Sequence, residues 1–263
     1  MSKRLITRRN FLRGSGIVAA STTLAGCDQF DFLRDRDGAA RNFLEGANSL
    51  TYHAQRLLLG RDALAREYAE SEIRQGQRPN GSRNPSSSEY RTMANGNFDS
   101  YRLEIGGLVE NPVSFSLNEL RNMPARTQIT RHDCVEGWSC IAKWSGPQLG
   151  PVLDQAGVKP EAKYVVFRCY DSLGNSLSGP NFYYESCDLI DARHPQTILA
   201  HTLNDNPLPV ANGAPLRVRI ERQLGYKMAK YIRRIELVSD FSDIEGGHGG
   251  YWEDRGYEWF AGI

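Results

Sequence analysis

Apolar and polar positions alternate from Tyr101 to Ile105 (Tyr-Arg-Leu-Glu-Ile), the period of a strand with one buried face. Turn residues come next at Gly106-Gly107 and Asn111-Pro112. Ser116-Leu-Asn-Glu then opens a short helix, with Ser116 as its cap and Glu119 where a capping box needs a glutamate. Gln128-Ile-Thr reads as a short strand. Leu149, Val152 and Leu153 share one helical face between Gly146 and Ala156, just after Pro147. The unbroken apolar run Tyr164-Val-Val-Phe predicts a buried strand, and β-branched content predicts two more at Leu216–Ile220 and Ile232–Val238. Upstream, Leu57, Leu58, Leu59, Leu64 and Ala65 recur near helical spacing, so residues 48–70 are expected to be helical across Gly60. Residues 75–97 are rich in Gly, Pro, Ser, Asn and Arg and predict an exposed loop or extended wrap with no core of its own. Short strands with scattered helices, lacking regular strand–helix alternation, make an α+β fold. No Gly-x-Gly-x-x-Gly follows a strand, so no dinucleotide site is expected.

The 263 residues are enough for a sizeable core. A formal net charge of +1 argues against a nucleic-acid binder, which carries a strong basic excess. Five cysteines are present, Cys27, Cys134, Cys140, Cys169 and Cys187, and none forms a Cys-x-x-Cys pair, which argues against zinc ribbons and thioredoxin-type sites.

The N-terminus reads as an address. Thr7-Arg8-Arg9-Asn10-Phe11-Leu12 is a twin-arginine export pattern, and the weakly apolar run Ile17–Ala25 is too short to span a bilayer as a mature helix. A basic amphipathic helix is the other reading of this stretch. Leu24-Ala25-Gly26-Cys27 is similar to a bacterial lipobox, which implies acylation of Cys27; a free or buried cysteine is the alternative. Asp28 then resembles an inner-membrane retention signal. The expected organisation is a signal over residues 1–27, a tether over 28–47, a helix and extended loop over 48–98, and the main domain over 99–263. The expected location is the periplasm, with the chain lipid-anchored to the inner membrane.

Arg131-His132-Asp133-Cys134-Val135-Glu136-Gly137-Trp138-Ser139 is polar, aromatic and centred on a cysteine. It comes directly after a strand, so a loop at the strand's end is expected. Soft thiolates suit high-valent metals, and Arg131 with His132 is expected to lower the thiol pKa of Cys134. His132 reads as a structural hydrogen-bonder or as a catalyst. Cys140, Cys169 and Cys187 read as buried thiols. A cysteine nucleophile paired with His132 is a competing reading.

The Cys134 segment resembles the molybdenum-binding loop of the sulfite-oxidase superfamily, and within it the bacterial branch of periplasmic methionine-sulfoxide reductase. Lys143-Trp144-Ser145-Gly146, His194-Pro195-Gln196-Thr197, Pro209–Arg217, Leu224-Gly225-Tyr226-Lys227 and Gly250–Phe260 extend the resemblance in the same order over residues 100–263. It implies a sulfite-oxidase-type fold in a single main domain, without a C-terminal dimerisation domain, and hence a monomer. It implies a molybdenum–molybdopterin cofactor in its mononucleotide form, with Cys134 as the metal ligand. Asn212 and Arg217 match pterin-phosphate contacts, and Lys227, Met228, Ala229 and Lys230 match a loop around the same phosphate. Cys169 falls at a pterin contact, and Asn48, Tyr52 and His53 resemble an N-terminal one. Glu136 faces the metal pocket as a candidate catalytic residue or else caps a loop. The implied chemistry is oxygen-atom transfer on a small substrate, with electrons exchanged with a membrane or soluble cytochrome. Sulfite oxidases surround this cysteine with arginines in a Cys-x-Gly-Asn-Arg context, whereas this chain has Cys134-Val-Glu-Gly-Trp-Ser, with Glu136 and Trp138, which leaves the substrate open. The other function class is a non-catalytic pterin-fold lipoprotein acting as a binding or assembly module.

Overall fold

The computed structural model describes residues 39–176 and 179–263. The export pattern, Cys27 and the first part of the tether lie outside the described residues. The chain divides into two compact units, residues 1–53 and 54–263.

Helix α1 spans Ala39–Leu58, so it starts inside the expected tether and stops well short of residue 70. Gly60 lies two residues beyond its end, where a helix interior would cost about 1 kcal/mol relative to alanine. The chain then runs extended: Tyr68 N donates to Ile129 O at 2.9 Å, and Glu67 bridges Thr130. Residues 75–97 also differ from expectation. Helix α2 (Ser88–Asn95) is capped by Ser87 Oγ, which accepts from Tyr90 N at 3.2 Å. It buries Tyr90 and Met93, and Tyr90 donates to Ala214 O at 2.6 Å. A polar composition concealed two apolar anchors at helical spacing.

The main core lies on a five-stranded sheet in the order β2–β1–β11–β5–β6, built from β1 (Arg102–Gly107), β2 (Val113–Ser116), β5 (Tyr164–Ser176), β6 (Gly179–Asp188) and β11 (Ile232–Val238). Only β1 and β11 run parallel. Leu103 and Ile105 point inward from β1, as alternation predicts, against Val165, Phe167, Ile235 and Leu237. Helix α3 (Leu117–Asn122) has its expected capping box. Helix α4 (Leu149–Asp154) buries Leu149, Val152 and Leu153.

A second layer carries the cysteine motif. Strands β3 (Ala125–Cys134) and β4 (Trp138–Pro147) form one long antiparallel hairpin, in register from Ala125↔Pro147 to Cys134↔Trp138. The sheet continues through β8 (Thr202–Leu203) and β9 (Asn206–Pro207). A short ribbon pairs β7 (Ile198–Ala200) with β10 (Arg217–Arg219). Gly146 lets β4 touch β7: a Cβ there would lie 2.0 Å from Leu199 O. The C-terminal segment packs back within the second unit through Tyr251 N to Tyr184 O, 3.0 Å, and Leu224 N to Ala261 O, 2.9 Å.

Candidate functional site

The predicted motif is a hairpin tip rather than a loop. Strand pairing continues up to Cys134, and Gly137, at φ +83°, makes the turn. Cys134 is a free, half-buried thiol at the tip. It lines a cavity of about 230 Å³ with Val135, Glu136, Asp171, Tyr183 and Lys230. Trp252 and Tyr257, stacked 5.3 Å apart, also line it, so the aromatic tail walls this cavity as well as packing inside.

The expected thiol activation is not what the structure provides. Burial, and secondarily the Glu136 carboxylate, push the Cys134 thiol above its usual range. Arg131 is engaged instead by Asp133, 2.8 Å away, and is half exposed. His132 is buried, and burial and then Arg219 and Arg217 drive its pKa well down, so it stays neutral. Its Nδ1 lies 2.8 Å from Arg219 Nη1, which has only hydrogens to offer. The imidazole hydrogen therefore sits on Nε2, packed against Gly225 and without a partner. No hydrogen bond links His132 to Cys134, which removes the base that a cysteine nucleophile needs.

Beside the cavity lies a concentration of buried cations. Arg217 is buried and donates to Asn212 O at 2.9 Å. Burial and Arg219 push its pKa down to about 9. Trp144 stacks on both guanidiniums, with Arg219 at 4.5 Å and Arg217 at 5.0 Å from its ring. Lys230 Nζ donates to Ala211 O at 3.2 Å and to Asn80 O at 2.6 Å, and burial and Arg217 push it down to about 7. Gly213, at φ +117°, packs its backbone against Lys230 and Arg217, whose side-chain atoms a Cβ would meet at 3.0 and 3.2 Å. Asn212 Nδ2 and Arg217 Nε are buried donors with no acceptor.

The predicted residues divide. Cys134, Glu136, Met228 and Lys230 line one cavity, and Asn212 and Arg217 adjoin it through Lys230. Ala229 is buried beside them. Lys227 turns away, toward Glu185 and Glu253. Cys169 is fully buried on β5 and lines a different cleft with Arg168 and Arg233. Asn48, Tyr52 and His53 lie on α1 in the first unit, with Tyr52 and His53 edge to face at 5.2 Å. Sequence reasoning missed three contributors. Asn80, Gly81 and Ser82 supply the cavity's wall from the polar segment ahead of α2. Asp171 is a buried carboxyl whose Oδ2 accepts from Ser82 at 2.6 Å. Arg78 lies 4.7 Å over Trp138 and 3.8 Å from Glu136. No local pattern marks these residues; the chain's path brings them in.

Residues 91–244 match the oxidoreductase molybdopterin binding domain. The chain belongs to that family. It is a molybdopterin-dependent oxidoreductase with an α+β fold, as the motifs implied. A protein of Azospira oryzae named as a protein-methionine-sulfoxide reductase subunit, YedZ1, is 36% identical over 260 residues, which cover 98% of this chain and 88% of that one. The protein-methionine-sulfoxide reductase catalytic subunit MsrP of Xanthomonas axonopodis pv. citri is 37% identical over 147 residues, 52% of this chain and 45% of its own length. Against that relative the chain spans about half of the matched protein. The sulfane dehydrogenase SoxCD of Paracoccus pantotrophus aligns in structure at 25% identity with a TM-score of 0.47, over 54% of this chain and 39% of that one.

The family's molybdenum cofactor fits the residues present. A phosphorylated pterin needs donors and positive charge, and Asn212 Nδ2, Arg217 Nε and Lys230 offer both around the close approach at Gly213. A metal bound by the pterin's own sulfurs needs few protein ligands. Among the described residues, no group of three His, Cys, Asp or Glu side chains could hold a metal.

Proposed function

We propose that this chain reduces the sulfoxide of oxidised methionine side chains, with Cys134 as the protein ligand to molybdenum. The observation that carries this reading is the half-buried free thiol of Cys134 at the hairpin tip, in one cavity with Lys230 and next to unpaired buried donors. The names of two relatives supply the substrate class. In place of a small free substrate, the cavity then receives a side chain presented on a peptide.

When bound, the cofactor supplies two-electron oxygen-atom transfer. The protein's part is to bind and orient. Asn212, Arg217 and Lys230 would hold the phosphate, with Met228 and Ala229 alongside; Arg217 itself donates to Asn212 O and lies over Trp144. Cys134, whose thiol burial holds above its usual range, would bind the metal as its thiolate. Val135, Trp252 and Tyr257 offer apolar and aromatic surface to a thioether, and sulfur–aromatic contacts contribute about 0.3–1.5 kcal/mol each. Glu136 lines the cavity and also accepts from Trp138 Nε1 at 2.9 Å, with Arg78 3.8 Å away. The mononucleotide form of the cofactor belongs to the same proposal, supported by resemblance.

Electrons come from a haem protein in or near the membrane. The twin-arginine pattern and Cys27 support export of the folded chain and lipid anchoring in the periplasm, where the anchor raises its effective concentration at such a donor. Among the described residues, no helix is long and apolar enough to cross a membrane.

The deciding experiment is Cys134→Ser. Molybdenum content by mass spectrometry is expected to fall or the metal's spectrum to change, and methionine-sulfoxide turnover with a viologen donor to drop by on the order of 100-fold or more. Unchanged metal spectra together with unchanged turnover would sink the assignment.

A further inference from the structure

Behind the cavity, three charged side chains are sealed from water. Lys227 Nζ donates to Glu185 Oε1 and to Glu253 Oε1, each at 2.5 Å, and none of the three side chains is more than 1% exposed. Gly250 gives them room: a Cβ there would lie 2.0 Å from Glu253 Oε2 and 2.8 Å from Glu185 Oε1. Two carboxylates around one ammonium leave a net negative charge in a dry site. Binding one proton removes that charge.

Geometry says where the proton sits. Glu185 Oε1 already accepts from Lys227 and from Ser186 N at 2.8 Å, so its acid hydrogen belongs on Oε2. Oε2 lies 3.4 Å from the Tyr183 hydroxyl. That hydroxyl gives its own hydrogen to Tyr226 O at 2.6 Å, which leaves its lone pairs open to Glu185. Glu253 Oε2, the other oxygen that could carry it, makes no hydrogen bond. Burial and then Glu253 hold the Glu185 carboxyl well above the carboxylate range, in the same direction. Of the other titratable groups near the cluster, burial holds Tyr184, Tyr226, Cys169 and Cys187 in their neutral forms and pushes the Asp171 carboxyl up, while Asp188 and Asp191 lie by Cys187 and Asp254 by Tyr184. Tyr183 lines the cavity that contains Cys134.

We infer that Glu185, Lys227 and Glu253 store one proton and pass it through the Tyr183 hydroxyl to the cavity during turnover. The inference rests on the sulfoxide-reduction reading. Reducing R₂SO to R₂S breaks the S–O bond and releases the oxygen as water, consuming two electrons from the haem donor and two protons. Tyr183 swings its hydrogen from Tyr226 O into the cavity and delivers one of those protons, and the Oε2 hydrogen of Glu185 replaces it. Solvent at the cavity mouth supplies the other, and Glu185 takes up a proton again between turnovers.

The test uses the cofactor-loaded full chain with methionine sulfoxide and a viologen donor. Tyr183→Phe is expected to lower kcat on the order of 100-fold with KM within about twofold, and to enlarge the solvent isotope effect. Infrared spectroscopy near neutral pH is expected to show a neutral-carboxyl band that shifts in D₂O and is missing from Glu185→Gln. Wild-type kcat in Tyr183→Phe, or no neutral-carboxyl band in the wild type, overturns the relay. If Glu185→Gln fails to fold, Tyr183→Phe removes only one hydroxyl and still decides. A wild-type enzyme that reduces no sulfoxide takes down the functional reading and the relay with it, whereas an active enzyme indifferent to Tyr183→Phe takes down the relay alone.

Discussion

At the scale of residues, a side chain's chemistry was set less by its type than by what encloses it. His132 is adjacent to the thiol's strand end and reads from sequence as its activator, yet burial and two arginines keep it neutral and turned to Arg219. Three buried histidines share this direction: burial lowers the pKa of His132, His194 and His201. Their folded pKa values lie below the unfolded value of about 6.5, so the unfolded chain takes up protons first as pH falls. Stability is therefore full above about pH 6.5 and declines toward the lower folded values, by up to about 1.4 kcal/mol per pH unit for each proton. Denaturant unfolding measured from neutral to mildly acid pH should show this loss. His132→Gln, which keeps an acceptor for Arg219 and does not titrate, should flatten part of it; an unchanged slope would remove His132 from the account.

At the scale of elements, local signals were read well where one segment decides its own structure. The Ser116–Glu119 capping box, the alternation of β1 and the bounds of β11 are all present as predicted. Errors fell where a partner decides. β3 and β4 extend to ten residues each because each pairs with the other, carrying Cys134 on a strand end. α2 forms because Tyr90 and Met93 find a core to enter. Gly146 shows the same dependence. Its missing side chain is used in the contact of β4 with β7. Gly146→Ala should cost roughly 1–3 kcal/mol by overpacking against Leu199, read as a lower denaturant midpoint. Gly60→Ala, with nothing within 4 Å of the new methyl, is the control that should not lower it.

At the scale of the whole molecule, the site is assembled from distant stretches. Residues near 80, 134, 171, 183, 228, 252 and 257 wall one cavity. The proposed export and anchoring also belong to this scale, because they concern where the folded chain works. Cys27→Ala should shift the protein from the membrane to the soluble periplasmic fraction, and intact mass of the wild type should show acyl chains. A wild type found wholly soluble and unacylated would remove the anchor and leave the cavity's chemistry untouched.

The sequence by itself determined the family and the α+β class, because these rest on ordered short motifs and on local periodicity, and it singled out Cys134, Asn212, Arg217 and Lys230, which the fold gathers in and beside one cavity. The tertiary structure decided the state of the thiol, the separation of Lys227 from Lys230, and the entry of Asn80–Ser82, Arg78 and Asp171. Those depend on burial and on groups brought together from distant segments, such as Arg78 beside Glu136, Lys230 on Asn80 O and Lys227 between Glu185 and Glu253, and no pattern within one segment encodes them.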